Sequence, residues 1–169
     1  MTKQESTTKQ EKPLFVPTTI VSGGQTGVDR AALDVAIAMG IGHGGWCPAG
    51  RLSEDGTVPS RYELQETDSR SYPARTKQNV IDSDATLILY EGKLKGGTLL
   101  TQSFCQRLGK PYLAIQMDGE EAELAREWLR KFRPQTLNVA GPRESTSVGI
   151  FHRSMAYLLQ ILAGEPPTT

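Results

Sequence analysis

Along the chain, short β-branched or apolar runs alternate with stretches of helical period. Thr18–Ser22 (TTIVS) is a short β-branched run that stops at Gly23-Gly24. From about Thr26 to Met39 the pattern is helical, with Val28, Ala32, Val35 and Met39 on one face. Leu33, Ala36 and Ile37 form a second apolar face, and Gly40 ends the helix. Ile41–Cys47 reads as a glycine-interrupted strand. A helix over Ala74–Asp82 leads to Ala85–Tyr90 (ATLILY), whose continuous apolar run predicts burial on both faces, as in a parallel sheet. The next helix opens at Gly96 and runs to about Leu108, with Leu100, Phe104 and Leu108 inward. Tyr112–Gln116 is a strand. Asp118, with Glu121 as capping-box partner, starts a helix to Phe132 that turns Leu124, Trp128, Leu129 and Phe132 inward. Thr136–Ala140 (TLNVA) is the last strand. A final helix over Val148–Leu162 shows Phe151, Met155, Leu158, Leu159 and Leu162 on one face, with Ile150, Tyr157 and Ile161 off it.

Strand and helix alternate throughout, which predicts an α/β fold: a doubly wound parallel sheet of about five strands with helices on both faces. The 169 residues fit one domain, here 18–163. Residues 1–17 are too polar to repay ordering and are expected to form a disordered tail, with residues 164–169 as a second tail. Residues 48–74 are the least regular stretch, and a loop of that length in a compact domain is usually functional or disordered.

Charge narrows the function. Lys plus Arg and Asp plus Glu both total 19, so no surplus of base argues for nucleic acid or an anionic membrane. No apolar run reaches the roughly 18 residues of a membrane span, and the polar start has no leader-like apolar segment. Cys47 and Cys105 form no CxxC pair, which suits a reducing, cytoplasmic setting. His43 and His152 lack metal-ligand spacing, and no protein-coordinated metal is expected.

The chemistry lies at strand ends, where open α/β sheets bind ligands. Ser22-Gly23-Gly24-Gln25-Thr26-Gly27, with Asp29 and Arg30 behind it, would bring backbone N–H groups to an anion. Gly96-Gly97-Thr98 repeats that logic after the ATLILY strand. Gly141, Arg143 and Ser145 follow the last strand, and Arg143 suits a phosphate or carboxylate. Trp46 could stack on a flat ring, with Arg51 near an anion. None of these loops is a Walker A or G-x-G-x-x-G motif. The glycine clusters are read as places of close ligand approach.

The set SGGQTGVDRAALDVA, GGWCPAGR, DSDATLILYEG…GGT and LNVAGPRES, in that order, resembles the molybdenum cofactor carrier protein family over about residues 18–163. That family resembles the wider Lonely-Guy-type, lysine decarboxylase-like phosphoribohydrolases. The resemblance implies a Rossmann-like fold, an oligomer, and binding of phosphorylated molybdopterin for storage or for transfer to molybdoenzymes. It also implies a circular permutation: NVAGPRES looks like the hydrolases' first strand moved to the chain's end. That would place the last strand centrally, in order 2-1-5-3-4, and bring the three loops into one site. Arg75, nine residues before Asp84, sits where the hydrolases carry an arginine. Thr101 stands where they carry a glutamate, so the site looks like a phosphate binder without its hydrolytic acid/base, unless Glu91 or Asp29 substitutes. The extra apolar faces of the first and last helices predict a homo-oligomer, dimer or tetramer. The remaining readings are a nucleotide-processing enzyme and a nucleotide-ligand sensor.

Overall fold

The computed structural model describes residues 11–117 and 121–164. In chain order the elements are β1 (Thr19–Val21), α1 (Val28–Met39), β2 (Gly42–Gly44), β3 (Trp46–Cys47), β4 (Leu52–Ser53), β5 (Gly56–Thr57) and β6 (Gln65–Glu66). Then come α2 (Tyr72–Ile81), β7 (Ala85–Tyr90), α3 (Gly96–Leu108), β8 (Tyr112–Gln116), α4 (Ala122–Phe132), β9 (Thr136–Ala140) and α5 (Ile150–Ala163).

Five strands form one parallel sheet in the order β2-β1-β9-β7-β8. The last strand therefore lies at the centre, between the first and the ATLILY strand, as the permutation reading expects. Because every strand is parallel, the loops after β1, β7 and β9 emerge at one edge.

Strand alternation divides the sheet into two unlike faces. Ile20, Leu87, Leu89, Leu137 and Val139 join α1, α4 and α5 in a large apolar core. The opposite face carries Thr86 and Asn138, joined by a hydrogen bond from Asn138 Nδ2 to Thr86 Oγ1 at 3.2 Å. Against that face, α3 buries Thr98, Thr101 and Cys105, and α2 buries Thr76, Asn79 and Val80. This corrects the expected face of α3: Leu100 and Phe104 are only half-buried, and Leu108 is exposed. The physical reason is that a sheet face lined with Thr86 and Asn138 accepts small polar partners, whose burial their hydrogen bonds make tolerable. The face of α5 agrees in part: Leu158 and Leu162 are buried as expected, but so are Ile150, Tyr157 and Ile161, while Phe151, Met155 and Leu159 are half-buried. In α4, Ala125 and Leu129 are buried and Leu124 and Phe132 exposed. Glu121 stands at the start of α4, and Asp118 lies outside the described residues.

The glycine-interrupted strand splits in two. Gly45 has φ +123°, and a Cβ there would run into the Ser22 backbone. The chain leaves the main sheet at that point, and Trp46–Cys47 pairs instead with Gln65–Glu66. Residues 48–67 are therefore ordered as a small annex. Cys47, Val58 and Tyr62 pack on Leu33 of α1, with Leu64 at the edge. Arg51 ties the annex together, its guanidinium donating to the carbonyls of Val58, Pro59, Tyr62 and Leu64. The second apolar face of α1 is thus largely covered within one chain: Leu33 and Ala36 are fully buried and only Ile37 stays exposed. Helix α2 begins two residues before the expected start, because Pro73 is compatible with a first helical turn. At the N-terminal end, Phe15 packs on the main core under the Arg133 guanidinium, so residues 14–17 are anchored.

Candidate functional site

At the carboxyl edge of β1, β7 and β9 lies a cavity of about 330 Å³. Its walls come from each of the three expected loops and from α2. The loop after β1 and the start of α1 give Gln25 and Asp29, and α2 gives Arg75 and Thr76. The turn into α3 gives Lys95, Gly96, Gly97, Thr98 and Thr101. The segment after β9 gives Ala140, Gly141, Pro142, Arg143 and Thr146.

Of the residues singled out from the sequence, the structure brings Gln25, Asp29, Arg75, Gly96, Gly97, Thr98, Gly141 and Arg143 to this cavity. The others stand one layer back. Ser22 is fully buried and donates its hydroxyl to the Asp29 carbonyl at 2.9 Å. Gly23 has the Arg75 guanidinium against it, where a Cβ would otherwise sit. Gly24 is covered by Val58 and Leu64 of the annex. At Gly27, Pro142 and Arg143 press their backbone on the α carbon, and Val28 donates its N–H to the Pro142 carbonyl. Arg30 is bidentate to Asp55 at 2.6 and 2.8 Å and also bonds Ser53 and the Gly24 carbonyl, so its donors serve the annex. Trp46 donates its indole N–H to Asp82 at 2.7 Å, and no residue of 43–62 lines the cavity. Arg51 likewise meets carbonyls rather than a ligand space.

The glycines separate into two kinds. At Gly141 a Cβ would collide with the Leu89 carbonyl and with Val28, so strand and helix pack on its bare α carbon. At Gly96 and Gly97 a Cβ would meet nothing within 4 Å. Only this second pair presents open backbone to the cavity, at a helix start that no side chain caps.

Sequence reasoning missed Glu54, at the β4–β5 turn. Its carboxylate accepts the Thr26 hydroxyl and both the N–H and hydroxyl of Ser145, and stands 3.8 Å from Arg143. One side chain therefore clamps the first loop to the third. Burial pushes its carboxyl up, but the donors of Ser145 and Thr26 and the charge of Arg143 outweigh this and hold it below its ordinary value. Lys95 and Tyr72 were also missed. The Tyr72 ring lies 5.7 Å from the Arg75 guanidinium and 5.3 Å from that of Arg143, within cation–π reach of both. The charge of Lys95 beside Gly96-Gly97 is a signal that could have pointed to it, whereas the sequence around Tyr72 carries none.

Electrostatically the cavity is cationic, with Arg75, Lys95 and Arg143 against one carboxyl, Asp29. Burial raises the Asp29 pKa above its ordinary value, against the opposing pull of Arg75, the Gln25 N–H, Arg143 and Arg30. Gln25 Nε2 and Arg75 Nε are buried without a hydrogen-bond partner among the described residues. Buried donors left open in this way are free to take a water or a ligand acceptor. Thr101 donates its hydroxyl to the Gly97 carbonyl at 2.9 Å. Glu91 is bound to Arg153 and Ser147, outside the cavity lining. Among the described residues, no cluster of His, Cys, Asp and Glu could hold a metal ion.

The sequence profile of the circularly permutated YpsA SLOG family matches residues 20–162. The chain belongs to that family. A crystal structure named as a putative molybdenum carrier protein, from Syntrophus aciditrophicus SB, is 45% identical to this chain, with a TM-score of 0.85. The match covers 89% of this chain and 98% of that one. No curated protein matches the chain. A circularly permutated family agrees with a sheet that has the chain's last strand at its centre. The resemblance to the molybdenum carrier family, read from four motifs, agrees with both matches.

Proposed function

We propose that this protein binds and carries molybdenum cofactor, the phosphorylated molybdopterin, in the cavity between the three loops. The observation that carries this reading is the uncapped start of α3. There Gly96 and Gly97 stand open to a cavity rimmed by Arg75, Lys95 and Arg143. A helix N-terminus with free N–H groups and nearby cations is suited to a phosphate. The Gly97 and Thr98 N–H groups would hold the phosphate with Arg75 and Arg143, and the pterin would lie toward Gln25 and Asp29. Ser22, Gly23, Gly24, Thr26, Gly27, Arg30, Trp46 and Ser145 would shape the site from behind. A volume near 330 Å³ lies at the lower end of small-molecule sites, ~300–1,000 Å³. Molybdenum is cargo in this reading and arrives on the pterin dithiolene, so the protein need not ligate it.

The name of the Syntrophus protein supports a carrier role. Two free, buried thiols suit a cytoplasmic, reducing setting, and molybdoenzymes would be the recipients. We further assign self-association to α3. It leaves Leu99 44% exposed and Leu108 39% exposed beside half-buried Leu100 and Phe104, with Arg107 as its one charge.

The competing reading is a phosphoribohydrolase acting on nucleotides. Thr101 supplies no carboxylate and Glu91 is spent on Arg153, which leaves Asp29 as the one carboxyl on the cavity. Anaerobic incubation with molybdenum cofactor, then with nucleoside monophosphates, separates the two. Saturable pterin binding without turnover is the expected result. Release of free base and ribose phosphate would replace the carrier with an enzyme.

A further inference from the structure

We propose that the cavity takes up its oxyanion together with one proton, and that Asp29 is the group that receives it. The inference rests on the cavity being an anion site and concerns what that site does with charge.

Asp29 sits in the first turn of α1 with its side chain 4% exposed. Its Oδ2 accepts the Gln25 backbone N–H at 3.2 Å and stands 3.6 Å from Arg75 Nη1. That second distance gives attraction without a good hydrogen bond. The charged groups around it are Arg75 from α2, Arg143 from the segment after β9, Arg30 beside it in α1 and Lys95 across the cavity from the start of α3. Arg30 is committed to Asp55. Arginine and lysine side chains keep their protons through the neutral range, so the carboxyl is the group able to change charge there.

With the cavity empty of anion, Arg75 balances a buried carboxylate. An oxyanion that binds Arg75 takes over that partner and sets a second negative charge beside Asp29, where water screens little. Like charges in one buried site raise the affinity of one of them for a proton. Protonation removes the repulsion and turns Asp29 from acceptor to donor, able to give an O–H to a ligand oxygen. Burial already raises this carboxyl's proton affinity before any ligand arrives. An independent feature points to a ligand at the same place. Gln25 Oε1 accepts the N–H groups of Thr26 and Glu54, which fixes the amide so that its Nε2 is a donor. That Nε2 is buried and unpartnered among the described residues, on a side chain 95% buried in the cavity wall. Gln25, Arg75 and a protonated Asp29 would then be donors converging on one acceptor-rich group, the chemistry of a phosphomonoester or another compact oxyanion.

Sulfate is the probe, since it stays a dianion across the range and cannot supply or take the proton itself. Calorimetric titration in two buffers of different ionisation enthalpy, between about pH 5 and 8, reads the protons taken up per sulfate bound. Up to one proton per sulfate is expected, with affinity rising by as much as tenfold per pH unit lowered. Asp29→Asn is expected to bind sulfate with no proton uptake and a flat pH profile. Gln25→Leu should weaken binding and keep the uptake. Sulfate binding without proton uptake in the wild type, or with the same uptake in Asp29→Asn, would overturn the proposal. The wild-type titration needs no variant, so a misfolded Asp29→Asn chain leaves the test intact. Failure of sulfate to bind at any pH would instead remove the anion site and this proposal with it.

Discussion

Two glycines in the same set of loops make opposite demands. Gly141 is a packing residue, with the Leu89 carbonyl and Val28 against its α carbon, whereas the α carbon of Gly97 faces open cavity. Gly141→Ala should therefore destabilise the fold by about 1–3 kcal/mol, as overpacking does, read as a drop in melting temperature. Gly97→Ala should leave stability unchanged or raise it by about 0.5–1 kcal/mol, since alanine is the better helix residue. It should nonetheless weaken ligand binding by intruding on the phosphate position. Gly24, by contrast, is a poor place to test the site, because Val58 and Leu64 fill the space a side chain needs. Asp29 gives a pH-dependent prediction. Its carboxyl is raised in the fold, so its ionisation costs stability as pH climbs above the ordinary carboxylate value. Asp29→Asn should melt a few degrees higher than the wild type near neutrality, with the gain vanishing below about pH 3 in thermal scans. At this scale the sequence pointed to the strand ends whose loops line the cavity and to Arg30, Arg75 and Arg143 alike, of which the structure puts Arg75 and Arg143 on the cavity and Arg30 on Asp55. It did not distinguish glycines that admit backbone from glycines that admit ligand, because that difference lies in residues from other parts of the chain.

Between elements, the annex is the feature least visible in advance. An irregular stretch rich in Gly and Pro reads as a functional or disordered loop, yet here it packs Cys47, Val58 and Tyr62 on α1 and sends Glu54 across to the first and third loops. Glu54 is held below its ordinary carboxylate value, so its clamp is complete at neutral pH and is lost as pH falls through that lowered value. Hydrogen-exchange protection in residues 24–27 and 141–147 should fall ahead of the sheet as pH drops below the ordinary carboxylate range. Glu54→Gln should show that loss at neutral pH. Unchanged protection in the variant would mean the loops hold without the clamp. Helix faces were the other partial failure. Periodicity assumes that the apolar side faces in, but α3 meets a sheet face carrying Thr86 and Asn138 and turns threonines and a cysteine to it. The main-sheet strands β1, β7, β8 and β9 and most helix bounds were legible because glycine and proline punctuate them, whereas the 41–47 strand divides at Gly45 and the short strands of the annex were not foreseen. The faces were not, because they depend on what the sheet offers.

For the molecule as a whole, the sheet order followed from seeing the last strand as a displaced first strand, which no hydrophobic pattern contains. The proposed oligomer now rests on different residues. The extra faces of α1 and α5 are largely buried within one chain, and the exposed apolar residues of α3 take their place in the argument. Light scattering with size-exclusion chromatography should give a multimer for the wild type, and Leu99→Asp should shift it to a smaller species without changing the melting temperature. A wild-type monomer would end that assignment. The central claim is that a phosphorylated pterin sits in the cavity with its phosphate on the start of α3. A crystal structure of the protein with molybdenum cofactor, prepared anaerobically, tests it directly. The account requires phosphate oxygens within about 3 Å of the Gly97 or Thr98 N–H groups, with Arg75 or Arg143 on the same phosphate. Cofactor bound elsewhere, or seated with its phosphate away from α3, would contradict it.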